Sequence, residues 1–586
     1  MNLFRKNFTH KQTEGSRRTS LFTAFAFVLA FGAMFVSCQL SGDNPIENQV
    51  NNPTGDFIPD GSIAISSSVD MAKIGVDESY PLSGTYHLTK NITLSNWTPT
   101  GNGSSPFSGK FDGNGKTITI TGFNNDVISA MPHIGIFSYV KGSDSIKPEI
   151  KNLKIVSSVN SALANDTTGH GVGLVTGVLD MAIIDNITLS GTFNFTSTKT
   201  CYVGGIAGYI SGNGTVVKNS NSSLKMEIIH GNGAQIVTTS GVLSYTYVGG
   251  IVGLFQLRAG IENCHNTGDV IADNVKSSVS GQNFVGGIAG GGPYAFASDA
   301  HGYIHNSSFT VGTVSAKAQG FWSWAGGIAG CITGGHTGDK NVTTRIERCF
   351  ASGTITVADT KSGFPYVGGI VGYVYYGAMV SQCYFTGNVT ANSGSQEYVG
   401  GIAGYSSYAT GGDHASGKAC VIEDCWSSGK VSGYRNAGGI VGQNQQNTFL
   451  RRSYSSAVIE TINNTNFGVG GITGLHASTA ADAVTSCVAL NPSITAAAGN
   501  YINRVTGTTT VNGTRSNNYA LPCLVPSTTG TYTERKGLTE PDGADIPSEY
   551  LSDNKPTQAF YVSIGWDFTN VWKMGTDGYP KLKWQN

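Results

Sequence analysis

The chain has 586 residues, including 80 glycines and 17 prolines, and only 12% of its residues are charged, with a formal net charge of -1. This balance excludes a nucleic-acid-binding surface, which needs clustered positive charge. A hydrophobic share of 39% excludes a disordered chain, and glycine that does not recur at every third position excludes collagen. The composition therefore predicts a folded, glycine-rich, charge-poor β protein.

The first 37 residues have the pattern of a secretion signal. A basic region is followed by an apolar run at residues 21–36, which is short for a membrane span. Ser37-Cys38 ends this run and resembles the bacterial lipoprotein box, which implies that Cys38 is lipidated and becomes the first mature residue. We therefore expect a lipid-anchored protein at the outer membrane or cell surface, with residues 38–61 as a flexible tether. The alternative is an ordinary secretory signal without a lipid.

Residues 62–130 precede the repeats and are predicted to form an N-terminal cap and the first strands, with a short helix at residues 69–74. Asp112-Gly113-Asn114-Gly115 superficially resembles a calcium loop. It lacks the ligand spacing and the distal glutamate of such a loop, so a tight turn between two strands is the better interpretation. We expect no metal site and no cofactor.

A glycine phrase, usually Val or Ala followed by Gly-Gly-Ile-(Ala/Val/Thr)-Gly, recurs along the middle of the chain. Its first glycine falls at Gly204, Gly249, Gly286, Gly326, Gly368, Gly400, Gly438 and Gly470. Two less regular copies precede these, at residues 133–137 and 173–177. Repeated short strands with Gly, Asn, Ser and Thr at the corners indicate the coils of a solenoid, which bury their apolar faces only by stacking.

A second phrase, apolar-x-x-(Cys/Ser) followed by Gly-x-(Val/Ile), lies between the glycine phrases. The predicted ladder of its small residues comprises Cys264, Ser308, Cys349, Cys383, Cys425, Ser453 and Cys487. Because serine replaces cysteine in the same column, we predict buried free thiols rather than disulfides. A metal site is not expected, since no CxxC pair or histidine recurs with the column. Cys201, Cys331, Cys420 and Cys523 lie outside it, and the sequence leaves their state open.

These two phrases together resemble the GLUG-motif family of bacterial surface proteins, which includes adhesin-like lipoproteins and regions of immunoglobulin A peptidases. The resemblance covers residues 130–490 and implies a right-handed parallel β-helix, here of about ten coils over residues 131–519. It implies no single activity. Residues 520–586 resemble the closing segment of such proteins, and we expect Trp566, Trp572 and Trp584 to pack inside a small β unit.

Candidate chemistry is sparse. Asp413-His414 is an isolated acid–base pair in a glycine-rich loop. Glu262, Glu347 and Glu423 form a column that we expect to face outward. The tyrosines around residues 366–430 either fill the solenoid or stack on a sugar ligand; the candidates are Tyr373, Tyr375, Tyr376, Tyr405 and Tyr408.

The polar residues repeat with the coils, as a scaffold requires, whereas a catalytic site breaks the pattern once. We therefore predict a non-catalytic surface protein that binds a host or bacterial glycan or protein, anchored to the membrane through Cys38. A carbohydrate-active β-helix enzyme, either a polysaccharide lyase or a glycosidase, is the alternative.

Overall fold

The solenoid predicted from the repeats is the architecture of the chain. A computed structural model describes residues 61–585, with gaps at 164–169, 200, 231–236, 239–240, 243, 275–280, 293–300, 318–321, 335–342, 359–363, 393–396, 409–418, 463–467, 479, 498–500, 508–514 and 529–531. The signal sequence, Cys38, the tether and Asp413-His414 lie outside the described residues. The fold is all-β, with 52% strand and 4% helix, and stacked parallel strands confirm the β-helix class. Its right-handedness stays a prediction.

Each coil of the repeat region passes through three parallel sheets, which we call the first, second and third sheets in the order that they follow within a coil, starting from the glycine phrase. The first sheet has 11 strands: His133–Ile134, His170–Gly173, Cys201–Gly204, Ser244–Gly249, Gly281–Gly286, Ser323–Gly326, Tyr366–Gly368, Tyr398–Gly400, Asn436–Gly438, Gly468–Gly470 and Tyr501–Asn503. The second has 10 strands: Phe137–Lys141, Thr176–Asp180, Ala207–Ser211, Val252–Phe255, Ala289–Gly291, Ala329–Thr333, Val371–Tyr375, Ala403–Ser407, Val441–Gln445 and Thr473–Ala477.

Within the described residues, the third sheet has 35 strands because most coils contribute three short ones. Those before residue 230 are Ile63–Ile65, Thr85–Leu88, Ile92–Leu94, Lys110–Asp112, Thr117–Ile120, Glu149–Ala162, Ile183–Ser197, Val216–Lys218, Asn221–Ser222 and Lys225–His230. The next are Gly260–Glu262, His265–Asn266, Val270–Asp273, Tyr303–His305, Ser308–Phe309, Thr313–Lys317, Arg345–Glu347, Phe350–Ala351, Thr354–Val357, Met379–Ser381, Tyr384–Phe385 and Asn388–Ala391. The last are Cys420–Glu423, Trp426–Ser427, Lys430–Gly433, Thr448–Arg451, Tyr454–Ser455, Val458–Thr461, Val484–Thr485, Val488–Ala489, Ile494–Ala496, Arg515–Ser516, Tyr519–Ala520, Ser527–Thr528 and Ala544–Asp545.

Few elements stand outside these sheets. The α-helices are Ser68–Lys73, Asn125–Ile128 and Gln558–Ser563, and a 3-10 helix spans Ser548–Tyr550. The first helix lies where the sequence predicted one; its N-cap Ser67 accepts a hydrogen bond from the Asp70 amide. Strands Val237–Thr238 and Gly241–Val242 pair antiparallel, as do Leu551–Ser552 with Lys555–Pro556 and Trp572–Met574 with Pro580–Leu582.

Strand pairing runs through both predicted boundaries of the repeat region. Lys110–Asp112, in the predicted cap, pairs with Glu149–Ala162, and Tyr519–Ala520 pairs with Ala544–Asp545. The cap and the start of the closing segment therefore extend the third sheet, and the domain boundaries near residues 130 and 519 stay predictions from sequence.

The paired glycines exist because the coils approach too closely for a side chain. A Cβ on Gly205 would lie 2.3 Å from the Gly250 carbonyl oxygen of the next coil, and a Cβ on Gly204 would lie 2.1 Å from the Ala207 oxygen of its own coil. Close approach, rather than a positive φ, is thus the reason for the phrase. The sequence did not predict an eleventh coil because Asn503-Arg504 replaces Gly-Gly there, in the last strand of this sheet among the described residues.

The cysteine column is buried and free of disulfides, as predicted. Its side chains also hydrogen-bond the coils together: the Ser453 hydroxyl accepts from the Cys425 amide at 3.1 Å and donates to the Arg451 carbonyl at 2.8 Å. Cysteine makes the same kind of contact, since the Cys349 sulfur accepts a hydrogen bond from the Ser307 amide at 3.4 Å. This contact corrects one predicted member, since Ser307 lies in the column.

Ser308 itself lies in the neighbouring column, paired with His265 and Phe350. The sequence prediction placed the column one residue too far along the chain because this coil has an extra residue, Val311, before its glycine. Cys201, Cys331 and Cys420 are also buried and outside any disulfide, whereas Cys523 is exposed and outside any disulfide.

The residue before each column position adopts a positive φ, which asparagine tolerates better than most residues. It is asparagine in five consecutive coils: Asn152, Asn186, Asn219, Asn263 and Asn306. Side chains of this column also bond between coils, as in the 2.9 Å hydrogen bond from Asn186 Nδ2 to Asn152 Oδ1. Later coils place Arg348, Gln382, Asp424, Arg452 and Ser486 there.

Those later coils are covered by the C-terminal segment, residues 546–585, which lies along the third sheet. Three indole N–H groups donate to three different coils: Trp566 to the Ser486 carbonyl at 2.9 Å, Trp572 to Asp424 Oδ1 at 3.2 Å and Trp584 to the Gln382 carbonyl at 3.1 Å. The segment therefore runs back along the solenoid. Trp566 and Trp572 are buried as expected, but Trp584 is only half-buried.

A stack of aromatic rings on the third sheet forms the surface under this segment. Phe350, Tyr384, Trp426 and Tyr454 are in register, with successive ring centroids 4.9, 4.9 and 5.7 Å apart and nearly parallel. The end of the solenoid is covered separately, by residues 541–545. There the fully buried Arg504 pairs with Asp545 at 2.6 Å, and its amide donates to Asp542.

Candidate ligand-binding groove

An aromatic column follows the outer face of the first sheet. Six consecutive coils place an aromatic residue in register: Tyr202, Tyr247, Phe284, Trp324, Tyr366 and Tyr398. The seventh coil has Asn436 at this position. Each of these residues stands two positions before the paired glycines, so the strand alternation that turns the intervening Val or Ala into the core turns the ring outward.

The second sheet supplies the facing column. It comprises Tyr209, Leu254, Gly291, Cys331, Tyr373, Tyr405 and Gln443. Rings from the two sheets contact each other: the centroids of Tyr202 and Tyr209 are 6.2 Å apart, and those of Tyr366 and Tyr405 are 4.6 Å apart. The outer faces of the two sheets therefore turn toward each other, and we call the concave angle between them the aromatic groove.

The two columns are complementary in size. Phe284 and Trp324, both fully buried, belong to the coils in which the second column has only Gly291 and Cys331. Where the second column has tyrosine, the rings interleave, as in the T-shaped contact between Trp324 and Tyr373 at 5.1 Å. The middle of the groove is thus filled by its own side chains.

The five tyrosines predicted as ligand-binding residues all lie in or beside this groove, but four do not present an open surface. Tyr373, Tyr375, Tyr376 and Tyr408 are buried, with 2–7% exposure, and pack against other rings. Only Tyr405 is half-buried. The expectation that all five are available for stacking is corrected, because rings on adjacent coils cover one another's faces.

Other half-buried tyrosines of the groove were missed from the sequence. Tyr202, Tyr209, Tyr366 and Tyr398 are each partly exposed. The signal was the aromatic residue that recurs immediately before Val-Gly-Gly or Ala-Gly-Gly in six copies of the glycine phrase. The glycine phrase as defined from the sequence did not include this aromatic residue.

The side chains of the two groove columns are uncharged at physiological pH. Burial raises the pKa of Tyr209 to about 12 and also raises the pKa values of Tyr202 and Tyr405. The phenols therefore stay protonated, and Tyr405 hydrogen-bonds Gln445 while Tyr209 hydrogen-bonds Gln256. Such a surface offers ring contact and hydroxyl hydrogen bonds without ionic attraction.

The glutamate column faces outward, as expected, but it belongs to a ladder of alternating charge. Lys151, Asp185, Lys218 and Glu262 lie in register along the third sheet and alternate in sign. His305 and Glu347 continue the ladder, but burial lowers the pKa of His305, so this histidine is uncharged at neutral pH. Glu262 accepts a 2.6 Å hydrogen bond from the Tyr303 hydroxyl, and Glu347 lies 3.7 Å from His305. Alternation of sign along adjacent strands is a stabilising arrangement for a solvated face.

One carboxylate pair lies close to an arginine, in the arrangement that a hydrolytic site would need. Arg452 bonds Glu423 at 2.7 Å and Asp424 at 2.8 Å. Asp424 also accepts from the Trp572 indole, beneath the C-terminal segment. Asp424 is therefore engaged in holding that segment, and Glu423 is engaged by Arg452, so the pair does not resemble an open active site.

Among the described residues, no group of three or more His, Cys, Asp or Glu side chains is placed to hold a metal ion. In the same part of the chain, no helix is long and apolar enough to cross a membrane.

Comparison with known proteins agrees with the repeat assignment. A family model described as the GLUG motif matches residues 365–390, and GLUG repeats occur in bacterial surface proteins. No curated protein matches the chain. One matching crystal structure is described as that of a "putative immunoglobulin A1 protease" from Bacteroides ovatus; it is 18% identical, has a TM-score of 0.35, and covers 76% of this chain and 94% of its own. Likeness at this level carries no argument about activity.

Proposed function

We propose that this surface-type β-helix protein binds a glycan or protein ligand non-catalytically through the aromatic groove. The observation that supports this is the aromatic column in register over six coils on an outer face, with hydroxyl-bearing rings partly exposed at both ends. Aromatic residues at a concave surface supply large contact areas at a small entropic cost.

We further propose that the protein is exported and held at the outer membrane or cell surface by a lipid on Cys38. The Ser37-Cys38 sequence after the apolar run supports this. Expression of the full chain in its native host should place it in the detergent phase of a Triton X-114 separation, and the Cys38→Ser variant should move to the aqueous phase. Equal partition of both proteins would refute the lipid anchor.

The binding proposal is tested with an array of glycans and host-matrix proteins. Tyr405→Leu and Tyr398→Asn should each weaken binding at least tenfold, because they remove a partly exposed ring. Both substitutions use residues found in the same columns, at Leu254 and Asn436, so the fold should tolerate them. The control, Val311→Ser, changes a residue that is 85% exposed on a different part of the coil.

The same array distinguishes the enzymatic alternative. Release of reducing sugar or of unsaturated sugar ends from any bound polysaccharide would show catalysis and would overturn the non-catalytic proposal. Binding that is unaffected by both groove variants would move the site elsewhere on the solenoid.

A further inference from the structure

We propose that the C-terminal end of the aromatic groove is a subsite for a neutral oligosaccharide, in which Gln443 accepts a hydrogen bond from a sugar hydroxyl. This deepens the proposed function and rests on it. In both columns of the groove, the last aromatic residue is followed by an amide in the next coil: Tyr398 is followed by Asn436, and Tyr405 is followed by Gln443. An aromatic platform beside a small number of polar groups is the usual construction of a small-molecule site.

The amide oxygen of Gln443 is a hydrogen-bond acceptor that a ligand could satisfy. Its side chain is only 6% exposed, and Oε1 accepts no hydrogen bond within the described part of the chain. A buried acceptor without a donor is energetically unfavourable, because it has lost its hydrogen bonds to water. By contrast, Asn436 in the facing column is satisfied, since it donates to the Glu397 carbonyl and accepts from the Gly468 amide.

The ligand must donate a hydrogen bond and carry no charge. The two columns contain no charged side chain from Tyr202 and Tyr209 to Asn436 and Gln443. A carboxylate brought between the two columns would lose its hydration without gaining a cation from either column, which is costly. Arg435 is the cation whose charge reaches Tyr398, and its guanidinium lies over the ring of Tyr434. A sugar hydroxyl supplies the missing donor, while the apolar face of a neutral sugar ring suits the tyrosine rings.

The size of the subsite follows from the coil spacing. The partly exposed rings of Tyr366 and Tyr398 and the amide of Gln443 occupy three successive coils. At about 4.8 Å per coil, the outer two layers are separated by roughly 10 Å. We expect this span to accommodate three sugar units that run along the solenoid axis.

The test is calorimetric titration of the purified full chain with cello-, xylo-, manno- and laminari-oligosaccharides of two to six units, and with oligogalacturonates of equal length. At least one neutral series should bind, with an affinity that rises up to three units and then levels off. The oligogalacturonates should not bind. Gln443→Leu should lower the affinity at least tenfold with an unchanged melting temperature, because leucine occupies the same column at Leu254 and Leu475.

Gln256→Leu is the matched control at the opposite end of the groove, where the glutamine bonds Tyr209, and it should leave the affinity unchanged. Undiminished affinity of the Gln443→Leu variant, preference for uronates, or no binding of any neutral series would overturn the inference. If a protein or an acidic glycan binds and Tyr405→Leu abolishes that binding, the proposed function stands and this inference fails. If no ligand depends on the groove, both fail.

Discussion

Replacement of Ser453 by alanine should show whether the small-residue column stabilises the solenoid by hydrogen bonding or merely by being small. Ser453 is fully buried, and its hydroxyl is the acceptor of the Cys425 amide. The Arg451 carbonyl would lose one donor but keep another, the Asp424 amide at 3.2 Å. The main cost is therefore one orphaned buried N–H, which is worth about 1–3 kcal/mol.

Ser453→Cys is the informative partner, because cysteine already occupies this column in five coils and its sulfur can accept from the amide below. We expect Ser453→Ala to lower the free energy of unfolding by about 2 kcal/mol and Ser453→Cys by less than about 1 kcal/mol. Ser456→Ala, which changes a half-buried serine of the same coil, should stay within about 0.5 kcal/mol of the parent.

Urea unfolding followed by circular dichroism measures the global change. Hydrogen exchange of the peptide that contains Cys425, read by mass spectrometry, measures the local one, which matters because coils of a solenoid can open separately. Exchange at this peptide should accelerate in the alanine variant only. Alanine and cysteine variants that agree within about 0.5 kcal/mol would refute the hydrogen-bonding role and leave size as the explanation.

Three further outcomes are expected. In the native protein at pH 8, Cys523 should react promptly with a thiol reagent, whereas the eight buried thiols should react only after denaturation. A disulfide at any of the five column cysteines would contradict the column. Burial raises the pKa of Cys264 and Cys487 to about 12, above the value of about 8.5 in an unfolded chain. The contribution of these two thiols to the free energy of unfolding is therefore complete below about pH 8.5 and falls as the pH rises toward 12. Urea titrations at pH 8 and 10.5 should show this loss of stability, and replacement of both thiols by serine should make the loss smaller. If the serine variant has the same pH dependence as the parent, the two thiols are not its cause. Trp572→Ala should lower the free energy of unfolding by about 3–5 kcal/mol and remove the indole donor to Asp424. Limited proteolysis should then remove the C-terminal segment and leave the coils intact, with Trp572→Phe as the milder control. Equal protease resistance of both variants would contradict the account of the segment.

The repeat phrases determined the fold because their physical requirements are local. Paired glycines recur wherever a Cβ would meet a carbonyl oxygen at about 2 Å in the same or the next coil, and no other residue type meets that requirement. The alternation of apolar residues then assigns the inner face of each strand. Even the short N-terminal helix was predictable, since Ser67 and Asp70 form a local cap. For these features, neighbours in sequence are sufficient.

What the sequence left undecided depends on contacts between distant residues. The exact column member, Ser307 instead of Ser308, depends on register against Cys264 and Cys349, and a one-residue bulge is enough to shift it. The role of Gln443 likewise required knowledge of which coils stack beside it.

The tertiary structure alone decided which aromatic rings are covered and by what. Tyr373 and Tyr405 look equivalent in sequence, yet one is buried and the other half-buried, because exposure is set by rings from neighbouring coils and from the facing sheet. In the same way, the third-sheet rings from Phe350 to Tyr454 are covered by a segment more than a hundred residues further along the chain, as the hydrogen bond from Tyr454 to Pro580 shows. Periodicity fixes the direction of a side chain, but only the folded chain fixes what lies on top of it.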